Sequence, residues 1–131
     1  MTIAFQASYV HASQENDMEL VILSADDSLE AERYLMFQRA REWSDEDQRL
    51  GMADVYVETC GQGWSWYGHI ASVELRNNRI EVLLDEHAAS RMRDTGEILV
   101  GFELSPTQFA ELREAMRRIF RDRAYFRDLA A

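Results

Sequence analysis

A chain of 131 residues, 47% of them hydrophobic, has the size of one domain and enough apolar material for a core, which argues against disorder. Its 24 acidic residues outweigh 14 basic ones, every one an arginine, and the net charge of −10 is the reverse of a nucleic-acid footprint. No apolar run approaches the ~20 residues of a membrane span, MTIAFQASY lacks a secretory pattern, and a single cysteine, Cys60, excludes an internal disulfide, so a cytoplasmic location is expected.

Ile3, Phe5, Ala7 and Tyr9 alternate with Ala4, Gln6 and Ser8, a period of two that predicts a first strand. Ser13-Gln14-Glu15-Asn16-Asp17 is polar and is expected to form a loop. Met18, Leu20 and Ile22 resume the alternation, and Val21 and Leu23 make this strand apolar on both faces. These two runs are expected to pair as a hairpin. Ser28 to Trp43 supports two readings. Leu29, Met36, Ala40 and Trp43 keep helical spacing among good helix formers, while Tyr34-Leu35-Met36-Phe37 is an apolar run of strand length. Ser44-Asp45-Glu46-Asp47 then opens a short helix, with a serine N-cap, acids in the first turn and Gly51 as its stop.

Asp54 to Cys60 alternates as a strand, Val55 and Val57 on one face and Tyr56 and Glu58 on the other, and Gly61-Gln62-Gly63 breaks it. In the stretch Trp64-Ser65-Trp66-Tyr67 the two tryptophans share a face, and Tyr67 is expected to point with Ala71 and Val73 toward the core. Asn77-Asn78 lies between two alternating runs and tolerates the positive φ of a type I′ turn. Closing there sets Leu75 opposite Ile80, Val73 opposite Val82 and Ala71 opposite Leu84. On the other face the diagonals bring Glu74 to Arg79 and Arg76 to Glu81. A slip of one residue would turn the apolar set outward, so the register is well specified.

Asp85 to Asp94 is expected to be irregular or briefly helical, and Ile98, Val100, Phe102 and Leu104 predict one more strand. Ser105 to Gln108 forms a capping box with Pro106 at the first helical position, and Leu104 and Phe109 are spaced for a hydrophobic staple. Phe109, Leu112, Met116 and Ile119 make the buried stripe of this final helix. Arg117, Arg118, Arg121 and Arg123 gather toward its end, where cations suit the dipole. The sum is a single α+β domain over 1–131: mainly antiparallel β-sheet of about six strands, packed with a C-terminal α-helix and a short helix near 44–51.

His11, His69 and His87 are scattered without metal-ligand spacing, so no metal and no cofactor is expected. Cys60 has no visible activating partner, no two carboxylates stand out as acid and base, and no catalytic residue is assigned. The unusual cluster is Trp64-Ser65-Trp66-Tyr67. Its rings either cover the open end of a small core or anchor a partner, rimmed by acids such as Asp54, Glu58 and Asp85. Paired tryptophans also suit stacking on a sugar, so a small carbohydrate- or ligand-binding module is the alternative reading. Charge favours a basic partner: through Leu104 there are 20 acids and 8 arginines, and from Ser105 onward 4 acids and 6 arginines.

The series Tyr34-Leu35-x-Phe37-Gln38-Arg39, Leu50-Gly51-Met52, Val55-Tyr56-Val57-Glu58, Gln62-Gly63, Tyr67-Gly68 and Val73-Glu74-Leu75 resembles the immunity protein 10 family of bacterial polymorphic toxin systems. The resemblance continues to Leu112-Arg113 and Ile119-Phe120, while Trp64, Trp66, His69 and Cys60 stand outside it. It implies a strand over Arg33 to Ala40. It also implies a small cytoplasmic protein that neutralises a cognate toxin domain by occlusion, without catalysis; the acidic charge and the lack of a long apolar run already argue against nucleic acid and membrane as partners. The partner surface expected on this chain is Trp64, Trp66 and His69, with the acids Asp45, Glu46, Asp47 and Asp54 nearby.

Overall fold

The computed structural model describes residues 2–26, 33–59 and 64–131. Among these residues ten short strands and three helices form two five-stranded sheets. The first strand, β1 (Thr2–Gln6), ends two residues before β2 (Tyr9–Glu15) begins, and the two belong to different sheets. A run expected as one strand over 3–9 is therefore a corner: Ala7 still donates to Gly101 of one sheet while Ser8 donates to Ser24 of the other. The loop expected at 13–17 shrinks to Asn16 and Asp17, both at positive φ (51° and 61°), a two-residue connection of the kind that matches sheet twist. The hairpin partner of β3 (Met18–Ser24) is thus β2 and not the strand begun at Ile3.

From β2 the chain runs as a meander through β3, β4 (Tyr34–Ala40), β5 (Tyr56–Thr59) and β6 (Ser65–Tyr67), every neighbouring pair antiparallel. Pairing on both sides settles the ambiguity over Tyr34–Ala40 in favour of a strand. Leu35, Phe37 and Arg39 are buried while Tyr34, Met36, Gln38 and Ala40 are half-buried, so period-two packing overrides helix propensity. The part of the helical reading that rested on Ser28 and Leu29 lies outside the described residues, as do Cys60 and the Gly61–Gly63 break. Between β4 and β5, α1 (Asp45–Arg49) is capped as expected: Ser44 and Asp47 exchange hydrogen bonds, and Gly51 follows at φ 75°.

The second sheet has the order β1-β9-β8-β7-β10, built from β7 (Ile70–Leu75), β8 (Arg79–Leu84), β9 (Glu97–Gly101) and β10 (Phe126–Asp128). Its interior is antiparallel and both edges are parallel, so this is the mixed sheet. Leu75 faces Ile80 and Val73 faces Val82 as read from sequence. A bulge between Ile70 and Ser72 then puts Ile70, and not Ala71, opposite Leu84, which leaves Ala71 exposed. Asn77 and Asn78 do not adopt the positive φ assigned to them; that geometry occurs at Asn16-Asp17 instead. Arg76 does reach Glu81 at 3.1 Å, but the Glu74–Arg79 diagonal is replaced by Glu74 with Arg76 and Arg127, at 3.4 and 3.3 Å.

A short helix, α2 (Glu86–Arg91), starts from the Asp85 cap, whose carboxylate accepts from the Ala88 amide. The closing helix α3 (Pro106–Ile119) has the full Ser105–Gln108 capping box and buries Leu112, Ala115, Met116 and Ile119. It packs on the inner face of the meander sheet, where Arg118 reaches the buried Glu19 at 2.7 Å and Arg39 donates to the Ile119 carbonyl at 2.9 Å. One apolar cluster joins the inner faces of both sheets to this helix.

Candidate partner-binding site

The strand alternation fixes which side chains of the meander sheet look outward. Val21, Leu23, Leu35, Phe37, Val55 and Val57 are fully buried on the inner side under α3. Their neighbours Met18, Leu20, Ile22, Met36, Tyr56 and Tyr67 therefore form the other face, and all of them remain partly accessible. The connection holding α1 overhangs one end of this outer face. Between them lies a concavity of about 420 Å³, floored by Met18, Met36, Gln38 and Tyr56 and walled by Trp43, Asp47, Met52 and Asp54. Glu58 stands in it with both oxygens engaged: Tyr34 donates to one at 2.6 Å and Tyr56 to the other at 2.7 Å. Burial, and with it the negative Glu58, pushes the Tyr56 hydroxyl above its ordinary value against the pull of Ser65, so it stays a proton donor.

A second concavity, of about 570 Å³, opens beyond β6 and is lined by Trp64, Trp66, His69, His87 and Arg91, with Gly51 at its rim. Gly68 and His69 turn the chain there with φ of 71° and 55°. A side chain on Gly68 would meet the Asp54 carboxylate at 2.6 Å, so this position needs glycine on two counts. The His69 ring stacks on His87 at 4.3 Å and its Nδ1 lies 2.9 Å from Asp85. Burial works against the Asp85 anion, but the Ala88 amide and His69 outweigh it and hold its carboxyl below the usual range. Histidines that look scattered in sequence are thus partly gathered by the fold, while His11 stacks separately on Tyr9.

The fold divides the residues singled out from sequence. Trp66 lies opposite the buried Val57, and it and Trp64 pack against the core, so the tryptophans and not Tyr67 are the inward side of this strand. Tyr67 goes to the outer face, its ring 5.1 Å from that of Tyr56. Tyr67 lines both concavities and is the residue that connects them. Asp47 and Asp54 border the outer-face concavity, Asp54 already paired with Arg123 at 3.1 Å, and Asp45 and Glu46 are exposed in the first turn of α1. His69 is exposed on the other side. Met18, Met36 and Tyr34 were missed as site residues. Their signal was present in β3, whose apolar residues occupy both faces although only one face of this sheet meets the core.

A comparison with curated proteins finds no match. The family described as Immunity protein 10 matches residues 6–110. The match includes β2 and β3, upstream of the residues quoted above for the resemblance, and stops within α3 before Leu112-Arg113 and Ile119-Phe120. It covers every strand of the meander sheet and, in the mixed sheet, β7, β8 and β9, but only the last residue of β1 and none of β10. The chain belongs to the immunity protein 10 family.

Proposed function

We propose that this protein binds a cognate bacterial toxin domain and neutralises it by covering the toxin's working surface. The observation that carries the reading is the family match over residues 6–110, which includes both concavities described above. Occlusion asks only for a stable, specific interface, and specific interfaces concentrate their energy in aromatic anchors ringed by polar groups. The end of the meander sheet around β6 offers such a set: the accessible edges of Trp64 and Trp66, Tyr67 and His69, with Asp45, Glu46, Asp47 and Asp54 alongside. The acids and the net charge of −10 would steer a basic toxin toward it. A sugar platform finds less support, because both indoles pack against the core and do not lie as an open pair.

The test is to express the toxin domain encoded next to this gene with and without the protein, and to follow binding by surface plasmon resonance at two ionic strengths. Co-expression is expected to restore growth. Reversing the charges of Asp45, Glu46 and Asp47 together is expected to lower the on-rate and flatten its salt dependence while leaving the off-rate nearly unchanged. Failure to bind any toxin encoded nearby would overturn the reading.

A further inference from the structure

The outer face of the meander sheet differs from every other sheet face of the molecule. The inner faces are sealed by the common core. The outer face of the mixed sheet carries Glu74, Arg76, Arg79 and Glu81, charges that pair with one another. The outer face of the meander sheet carries a hydrophobic floor with one carboxylate standing in it.

The partners of that carboxylate set it apart from the paired ones. Glu74, Glu81, Asp54, Asp122 and Asp128 are each neutralised by an arginine. Glu58, by contrast, is held only by two neutral phenols among the described residues. A carboxylate has about four acceptor positions, so two hydroxyls orient Glu58 without exhausting it. The residues lining the concavity include three acids, Asp47, Asp54 and Glu58, and no arginine. Its walls are of the kind that suit a cation on a long stem. Met18, Met36 and Met52 are soft and adaptable, and Tyr56 and Tyr67 present rings to which a cation is attracted. A volume of about 420 Å³ falls within the ~300–1,000 Å³ of ligand-sized clefts. A second copy of the chain is a poor occupant, since it would bring another acidic surface against this one.

We propose that this concavity is the receptor for an arginine or lysine side chain projecting from the toxin, with Glu58 as the residue that reads its charge. The proposal rests on the toxin-binding function above and names its surface and the chemistry of its partner. The stem of the incoming side chain lies along Met18 and Met36, and its head meets Glu58 between Tyr34 and Tyr56. The tyrosines position the carboxylate. They also make the site selective for a cation, because an anion or a neutral hydrogen-bond donor would leave the Glu58 charge desolvated and unmatched.

The experiment measures the affinity of the adjacent toxin domain for the wild-type protein, Glu58→Gln and Tyr56→Phe at several salt concentrations. Glu58→Gln keeps the shape and one of the two acceptor oxygens but removes the charge, and it is expected to weaken binding roughly 30-fold or more, with a shallower salt dependence. Tyr56→Phe frees one carboxylate oxygen and is expected to cost a few-fold, with the salt dependence retained. Wild-type affinity and salt dependence in both variants would overturn the proposal and leave the toxin-binding function standing. Absence of wild-type binding would overturn both. Sedimentation of the protein alone is expected to give a monomer. A dimer dissolved by Met36→Glu would assign the face to a second copy and overturn the proposal.

Discussion

Arg39 points to the inner side of β4 with its side chain 2% exposed, an uncommon place for a guanidinium. It is held there by a two-pronged contact with Asp122, at 2.7 and 2.9 Å, by the Ile119 carbonyl at 2.9 Å, and by the Trp43 ring 4.4 Å from its centre. The Arg39 hydrogen bond, against the opposing effect of burial, brings the Asp122 pKa down to about 2. An unfolded aspartate titrates near ~3.9. A carboxylate whose folded value lies below its unfolded one contributes its full stability above the unfolded value and loses it as pH falls through the folded one. Asp122→Asn is therefore expected to cost about 1 kcal/mol at pH 6, a figure kept low because Asp122 is half exposed and solvent screens the pair. The gap to wild type should shrink between pH 4 and 2 and vanish below that, as read from urea unfolding at each pH. A constant gap would place the Asp122 contribution elsewhere. Arg39 was legible in the sequence as one of the residues that carry the family resemblance, but its role was not, because Asp122 lies far along the chain and only the docking of α3 brings it near.

At the scale of elements, local signals were the reliable ones. The serine N-cap at Ser44, the capping box at Ser105 and the strand pair around Val73 and Val82 each announce themselves within a few residues, and all three form. Elements whose identity depends on distant partners were misread. Residues 3–9 alternate without interruption, so nothing local reveals the passage from one sheet to the other at Ala7 and Ser8. The strand β10 has three residues and no periodicity to read. It is held by pairing with β7 and by Asp128, which meets Arg113 at 2.8 Å and Arg117 at 2.6 Å. Arg117, expected to serve the helix dipole, thus joins Arg113 in fastening this strand to α3. The helix itself supports a graded prediction. Ser105→Ala should lose about 1 kcal/mol with the N-cap, and Leu112→Ala, whose side chain is fully buried, ~2–5 kcal/mol. Urea denaturation of the two variants checks the order; equal, negligible losses would mean that the helix is not docked on the core.

For the molecule as a whole, the α+β class and the family were legible from sequence, and the orientation of the candidate surface was not. Period two tells which residues share a face but not which face is inside, and large aromatic residues at Trp64 and Trp66 fit either side. The decisive clue was a surplus: a strand apolar on both faces, Met18 to Leu23, in a sheet that has a core on only one. The same two-sheet arrangement has a consequence for the order of folding events. In the meander sheet every strand pairs with its neighbour in the chain, whereas the mixed sheet closes only when Thr2–Gln6 finds Glu97–Gly101 and Phe126–Asp128 finds Val73–Leu75. Local pairings form cheaply and distant ones pay loop-closure entropy first. Refolding is expected on the millisecond-to-second scale of domains dominated by distant contacts. Asp17→Ala, at the φ 61° turn of the meander, should mainly slow folding, and Ile3→Ala, in the late-arriving edge strand, should mainly speed unfolding. Stopped-flow chevrons of the two variants separate the cases, and the reverse assignment would mean that the edges nucleate. With the expected order, the five strands that carry the candidate surface are in register before the fold beneath them is locked.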